Sequence, residues 1–311
     1  METRRLQYFV QIVDAGSINR AAAVIGIAQP ALSQQLAILE NELKVRLLNR
    51  STSGITPTEA GRRLYGRAQA ILRQVGSLKL ELGEAAEAIA GVVALGLPPS
   101  LGASIGNVLL GQVLAEFPRV RLQIIEDGAS GLALRLGSGQ LDLAVSPVRI
   151  SDPDLEGEEL FNEELFLVSA PQLAPTHTDL AQLAVLPWIV TGSPNAIRGQ
   201  LGVLFTQADL EPNIVAEINS LPMVIRAVQQ GLGVTLLPKA AIGDSLAAGS
   251  LVVSSIGQSP PQRTIHLYRK RDNSTTPAER IVHRLICEIG AALQAVAGLQ
   301  DGVIGPRGAD C

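Results

Sequence analysis

The chain has only two cysteines, Cys287 and Cys311, and they form no metal or redox spacing. One reads as a packed thiol and the other as an incidental tail residue. There is no 18-residue apolar run and no apolar signal-like core near Met1, so neither a membrane span nor export is indicated and a cytosolic protein is expected. The three histidines, His177, His266 and His283, are scattered, and no Gly-x-Ser-x-Gly, Walker A or His-Glu-x-x-His sequence occurs. That argues against an enzyme, and no cofactor or metal is expected. The net charge of −4 argues, taken alone, against a nucleic-acid binder. Its distribution argues the opposite. Residues 1–80 carry 11 Lys/Arg against 5 Asp/Glu, and residues 81–311 carry 14 against 24. A basic module is joined to an acidic one, and only the first suits a phosphate backbone. With 311 residues, 47% of them hydrophobic, two or more domains with substantial cores are expected.

Within the basic module, residues 27–43 read IAQPALSQQLAILENEL. Leu32, Leu36, Leu39 and Leu43 share one stripe of a helix, with Pro30 in its first turn. The opposite side carries Pro30, Ser33, Gln34, Ala37 and Asn41, all short or neutral. Gln and Asn can bond adenine bidentately, Ser either base edge, and an Ala methyl can touch the thymine methyl. Upstream, Leu6, Phe9, Val10 and Val13 form another helical stripe closed by Gly16. Ser17 then caps a short helix with Ala21, Ala22 and Val24 that ends near Gly26. Helix, helix, tight glycine turn, helix is the helix-turn-helix plan, with the third helix offered to the groove.

Residues 47–68 follow as LLNRSTSGITPTEAGRRLYGRA. Residues 47–50 and 55–56 can pair across a turn as a short wing. Thr56-Pro57-Thr58-Glu59 reads as a capping box with Pro57 at the first helical position. Arg50, Arg62, Arg63 and Arg67 supply charge for phosphates, with Arg4, Arg5, Arg20, Lys44 and Arg46 adding to it. From Pro57 a helix reaching residue 90, roughly 50 Å long, carries Leu64, Ala68, Ile71, Val75, Leu78, Leu82, Ala85 and Ile89 at alternating steps of four and three. That seam suits a partner helix from a second copy; packing on the chain's own C-terminal domain is the other reading.

Beyond Gly91, short apolar strands at 92–97, 122–125, 141–145, 165–169, 188–190, 214–218 and 234–237 alternate with helical stretches, which argues α/β layers. In such sheets ligands gather at strand carboxyl ends and helix N-termini. Ser100, Leu101, Gly102 and Ala103 follow the first strand. Ser130 begins a helix, Ser146 and Val148 end the third strand, and Asn219 and Ser220 precede another helix. Few charges appear among these candidate effector contacts, so a small polar or carboxylated ligand is expected.

The order YFVQIVDAGSINRAAAVIGIAQPALSQQLAILENEL, then LLNR and GITPTEAG, resembles the LysR-type transcriptional regulators. The match is dense over residues 1–65, and GSGQLDLAVS and QQGLGVTLLP continue it to about residue 270. The N-terminal half is most similar to nitrogen assimilation control proteins, members regarded as acting without a small co-inducer. The resemblance implies an α+β chain in four parts. They are a winged helix-turn-helix (1–58), a dimerisation helix (59–90), a bilobed α/β, periplasmic-binding-protein-like effector domain (91–297) and a disordered tail (298–311). Subdomain I is expected at about 91–161 and 266–297, and subdomain II at about 162–265, joined by crossover strands near 159–163 and 264–269. It further implies base contacts from Gln29, Pro30, Ser33 and Gln34, and Arg50 at a phosphate or the minor groove. Ser17 and Ser51 complete the candidate DNA-contact set. Promoter DNA, a homodimer or homotetramer, and RNA polymerase are the implied partners. Two positions depart from the family: Ala28 stands where Ser or Thr is usual, and Leu48 where an aromatic is. A solute receptor of bilobed type is the alternative reading, but it would need an export signal and no reading helix.

Overall fold

Left-handed glycines set the lengths of the first two helices. The computed structural model describes residues 1–51, 54–81, 89–176, 178–192, 195–257, 260–271 and 275–300. Helix α1 (Thr3–Ala15) stops at Gly16, φ 60°, and α2 (Ile18–Ile25) stops at Gly26, φ 78°. Both are backbone conformations that a Cβ disfavours. The Ser17 hydroxyl caps α2 by accepting the Arg20 amide. Helix α3 (Gln29–Leu43) crosses α2 at 110° and, as the missing hydroxyl at Ala28 implies, has no side-chain cap. Leu6, Phe9, Ile12, Ala21, Leu32, Leu36 and Leu39 are buried among the three helices. Leu43, expected on the same stripe, is 37% exposed: Lys44 turns left-handed and ends the helix beyond the reach of that core.

The wing pairs β1 (Leu48–Ser51) with β2 (Gly54–Pro57), Arg50 standing opposite Ile55. Its base is fastened by Glu40, whose carboxylate accepts the Leu47 and Leu48 amides at 2.7 and 3.3 Å. Helix α4 spans Glu59–Glu81. Pro57 therefore closes a strand rather than opening a helix, and Thr58 is the cap, its hydroxyl accepting the Gly61 amide at 3.0 Å. Residues 89 and 90 are not helical, and 82–88, with Leu82 and Ala85 of the expected seam, lie outside the described residues.

The seam itself is divided. Leu64 and Ala68 pack into the winged-helix core, while Ile71 and Leu78 remain 37% and 53% exposed. A second flank of α4 lies on the chain's own C-terminal domain. A Cβ on Gly66 would stand 2.2 Å from the Ser138 carbonyl oxygen, so only glycine permits that approach. Two turns later, the Arg73 guanidinium donates to the Gly139 carbonyl at 2.8 Å and to Asp142 at 2.9 Å. Both expected uses of this helix thus have a face available to them, and the two faces differ.

From residue 91 the chain runs β3 (Gly91–Leu97), α5 (Asn107–Glu116), β4 (Val120–Glu126), α6 (Ala129–Gly137), β5 (Leu143–Ser146), β6 (Leu155–Glu164), β7 (Phe166–Ser169), α7 (Leu180–Ala184), β8 (Trp188–Val190), α8 (Ala196–Thr206), β9 (Ile214–Glu217), α9 (Leu221–Gln229), β10 (Thr235–Leu237), α10 (Gly243–Ala247), β11 (Val252–Ser254), β12 (Gln262–Lys270) and α11 (Pro277–Gln300). The first lobe is a five-stranded sheet of order β4-β3-β5-β12-β6. Strand β3, GVVALGL, is parallel to β4 and β5 and buried along most of its length, as a continuous apolar run demands. Strands β6 and β12 are the crossovers, longer than expected because they pair with each other antiparallel along their whole length. Beyond them the second lobe holds β10-β7-β11, all antiparallel, and the parallel pair β8-β9, linked through Trp188 and Val234. Fully buried Trp188 anchors that lobe, its indole donating to the Leu183 carbonyl and meeting Phe205 edge-on. Helix α11 returns to the first lobe with Val282, Ile286 and Ile289 in its core. It continues through Gln300, so residues 298–300 are helix rather than tail; 301–311 lie outside the described residues.

Candidate functional site

Two surfaces carry the chemistry anticipated above. The first is the outward side of α3, where Gln29, Pro30, Gln34, Ala37 and Asn41 are exposed and Ser33 is half-buried. The buried leucines beneath hold this face outward, and no charged side chain stands among these six. The Gln29 amide donates to the Ser33 hydroxyl at 2.7 Å, one helical turn apart, so this pair exchanges an internal bond for any base contact. Arg50 and Ser51 stand in β1, but their side chains lie outside the described part of the structure. Ser17 is committed to capping α2 through its oxygen and keeps its own proton to donate. Arg20, Lys44, Arg46, Arg62, Arg63 and Arg67 are exposed around this module. Arg5, expected among them, is tied instead to Glu42 at 2.5 Å and to Glu2 and Gln35 at 3.2 Å, where it pins α1 to α3.

The second surface is a cleft of about 1030 Å³ between the lobes. Of the expected contacts, Ser100, Ser130, Val148 and Asn219 line it. Leu101 does not; it is wholly buried in the first-lobe core, because the turn after β3 coils directly into helix. Gly102, Ala103 and Ser220 stand outside the lining. Ser146 is fully buried, its hydroxyl exchanging hydrogen bonds with the backbone of Val148 at 2.9 and 3.1 Å, so it shapes the loop rather than facing a ligand. Asn219 lines the cleft while its side-chain oxygen accepts the Gly192 amide, holding two loops together.

The cleft also holds charges that sequence reasoning does not find. Arg263, 4% exposed, donates to Glu163 at 2.7 Å and to the Ser100 hydroxyl at 3.0 Å. Burial pushes the Glu163 carboxyl up, and the guanidinium beside it pulls the other way. The two residues are a hundred positions apart, which hides the pair. One signal is readable: in QRTIHLYRK, Arg263 shares the inward side with Ile265 and Leu267, where a charge needs a partner. Glu126 and Asp127 add two carboxylates, the second paired with Arg135 at 2.9 Å. The Thr191 hydroxyl oxygen, at the opposite wall, is buried without a hydrogen-bond partner among the described residues.

The two surfaces are joined by α6. Its first turn, with Ser130, lines the cleft, and the turn after its last residue is the Ser138–Gly139 segment against which α4 packs. Asp142 completes the joint by accepting Arg73 with one oxygen and the Ala94 amide of β3 with the other. Elsewhere Cys287 is half-buried, and burial, with the Glu158 carboxylate next in effect, pushes its thiol up to about 11. His177 lies outside the described residues.

Comparison with known proteins agrees with this two-part geometry. The model of the lysR-family bacterial regulatory helix-turn-helix protein matches residues 3–62, and that of the LysR substrate binding domain matches residues 86–288. The nitrogen assimilation regulatory protein nac of Klebsiella aerogenes is 34% identical over 290 residues, covering 93% of this chain and 95% of its own. The nac protein of Escherichia coli (strain K12) is 38% identical over 242 residues, covering 78% and 79%. A full-length OxyR structure from Pseudomonas aeruginosa, of a single-residue variant, shares the fold, with a TM-score of 0.68 at 24% identity over 93% of this chain and 94% of that one. A free-standing solute receptor would leave the matched reading module without a role. A helix face shaped for a groove, carried on a bilobed ligand-binding body and matched at both ends, places this chain in the LysR family of DNA-binding transcriptional regulators.

Proposed function

We propose that this regulator reads its promoter through Gln29, Pro30, Ser33 and Gln34 on α3, with Ser17, Arg50 and Ser51 contacting the flanking backbone. The observation that carries the reading is the exposed, uncharged face of α3 on a module whose surroundings are basic. Amide and hydroxyl groups there match base edges, and the arginines match phosphates, which position the module without specifying sequence. The functional parts are residues 1–58 for DNA, 59–90 for assembly and 91–297 for the effector. Ile71 and Leu78 on α4 offer an apolar strip to a second copy, giving paired readers for paired half-sites. Exposed Leu110 and Leu114, four apart on α5, offer a further surface for a dimer of dimers. The names of the nac relatives support nitrogen metabolism as the controlled pathway. A cytoplasmic location and RNA polymerase as the downstream partner complete the proposal.

The cleft changes the expected ligand. Arg263 is neutralised by Glu163 and Asp127 by Arg135, and the Glu126 carboxylate that remains disfavours a second carboxylate, so a neutral or cationic nitrogen-bearing molecule fits better. Such a ligand acts only through different affinities for two arrangements of the lobes. Movement of α6 then reaches α4 through Ser138 and Asp142 and resets the spacing of the reading heads.

The test is a footprint and affinity comparison of specific with nonspecific DNA. Replacing Ser33 and Gln34 by Ala should lower operator affinity by about 1–3 kcal/mol per lost base contact and leave nonspecific binding unchanged. Intact target discrimination in that double variant would remove α3 as the reader. Titrating cationic and amide-bearing metabolites against the same footprint tests the cleft separately.

A further inference from the structure

We propose that Cys287, His283 and Glu158 form a binding site for a divalent metal ion of the thiolate-accepting class to which zinc belongs. Neither the DNA-reading face nor the interlobe cleft uses these residues. His283 and Cys287 lie four apart on α11 and so share a face of that helix. Glu158 stands on β6, the outermost strand of the first-lobe sheet, against which α11 packs. The cysteine spacing gives no hint of this, because one ligand comes from a strand 129 positions upstream of the thiol.

The donor atoms are already gathered. The Cys287 sulfur is 3.8 Å from Nδ1 of His283 and 3.8 Å from Oε1 of Glu158. One donor atom from each residue lies within 4.8 Å of the others. A tetrahedral ion with about 2.3 Å to sulfur and about 2.0–2.1 Å to nitrogen or oxygen separates its ligand atoms by roughly 3.3–3.6 Å. The two sulfur distances meet that requirement within a few tenths of an ångström. Nε2 of His283 stands 2.6 Å from Oε1 of Glu158, so that contact must open for both residues to ligate one ion. Glu158 is the exposed member of the three. Sulfur, imidazole and carboxylate together favour zinc or cobalt over magnesium or calcium, which prefer oxygen alone. Thiolate and carboxylate neutralise the ion's two charges, and binding releases the thiol proton to solvent. With three protein ligands the fourth position is left for water, so the ion is exchangeable, and while bound it pins α11 to the crossover strand.

The experiment uses full-length protein carrying Cys311→Ser, stripped with a chelator and titrated with Co²⁺, whose absorbance reports a thiolate ligand through a near-ultraviolet charge-transfer band. One Co²⁺ per chain with that band, displaced by one equivalent of Zn²⁺, is expected. Cys287→Ser should abolish the band. His283→Ala and Glu158→Gln should weaken Zn²⁺ binding by at least the roughly 10- to 100-fold that loss of an outer-shell partner costs. His266→Gln, at the neighbouring Glu159 contact, should bind as the parent does. Glu158→Gln, on an exposed side chain, keeps the comparison valid where a helix variant does not fold. Absence of the band, its survival in Cys287→Ser, or equal affinity in both His283→Ala and Glu158→Gln would overturn the site and leave only a histidine–glutamate contact beside a thiol.

Discussion

Arg263 and Glu163 show how a charge is kept inside the cleft wall. Each is nearly inaccessible to water, and each satisfies the other. Replacing Arg263 by Met strands the carboxylate, and denaturant unfolding should show a loss of about 3–5 kcal/mol. Adding Glu163→Leu should recover most of it, because an apolar pair of similar volume needs no partner. A second buried carboxyl makes stability depend on pH. Burial first, then Asp142, pushes Glu279 from 4.5 up to about 7. Between these values the folded chain holds a proton that the unfolded chain has released. The contribution is therefore fully present below about pH 4.5 and lost as pH rises through 7, a fall of about 3 kcal/mol. Glu279→Gln should flatten this part of the stability–pH curve and make the protein more stable than its parent at pH 8. At the residue scale the inward position of Arg263 is legible from strand alternation, whereas its partner is not, since periodicity says nothing about which distant strand pairs.

Helix α4 is the element on which most of the design turns. Its apolar positions alternate as a dimer seam would, yet two of them serve the winged-helix core and the glycines have separate reasons. A side chain at Gly66 meets a backbone oxygen, which cannot retreat as a flexible side chain could. Gly66→Ala should cost about 1–3 kcal/mol in thermal or urea unfolding and loosen the joint between α4 and the effector domain. At Gly76 nothing among the described residues lies within 4 Å of an added Cβ, so Gly76→Ala should stabilise by roughly 0.5–1 kcal/mol through helix propensity alone. Opposite signs from identical substitutions would separate contact from propensity. Element existence is legible here because 3.6-residue spacing and caps are local. The start of α4 lies two residues beyond the expected one because Pro57 satisfies both a helix start and the end of an edge strand, and only its pairing with Leu48 decides between them.

For the whole molecule, the separation of charge matters more than its sum. A basic reading module on an acidic body keeps phosphate contacts at one end, so affinity should fall steeply with salt, the log–log slope scaling at about −0.9 per phosphate neutralised. Replacing Arg63 or Arg67 by Ala should weaken operator and random DNA alike and reduce that slope by about one, read from binding isotherms at several salt concentrations. A slope unchanged in both variants would place the phosphate track elsewhere. The helix-turn-helix, the wing and the strand–helix alternation were determined by the sequence, because caps, glycine turns and apolar periodicity act over a few neighbouring residues; the two lobes and the family followed from the resemblance its motifs carry. Tertiary structure alone decided that Glu163 meets Arg263, that Ser146 braces a loop instead of facing the cleft, that α4 leans on Ser138, and that Glu158 reaches His283 and Cys287. Nearly all of these are meetings of residues far apart in the chain, settled by how strands order and helices dock, and no local pattern carries that information.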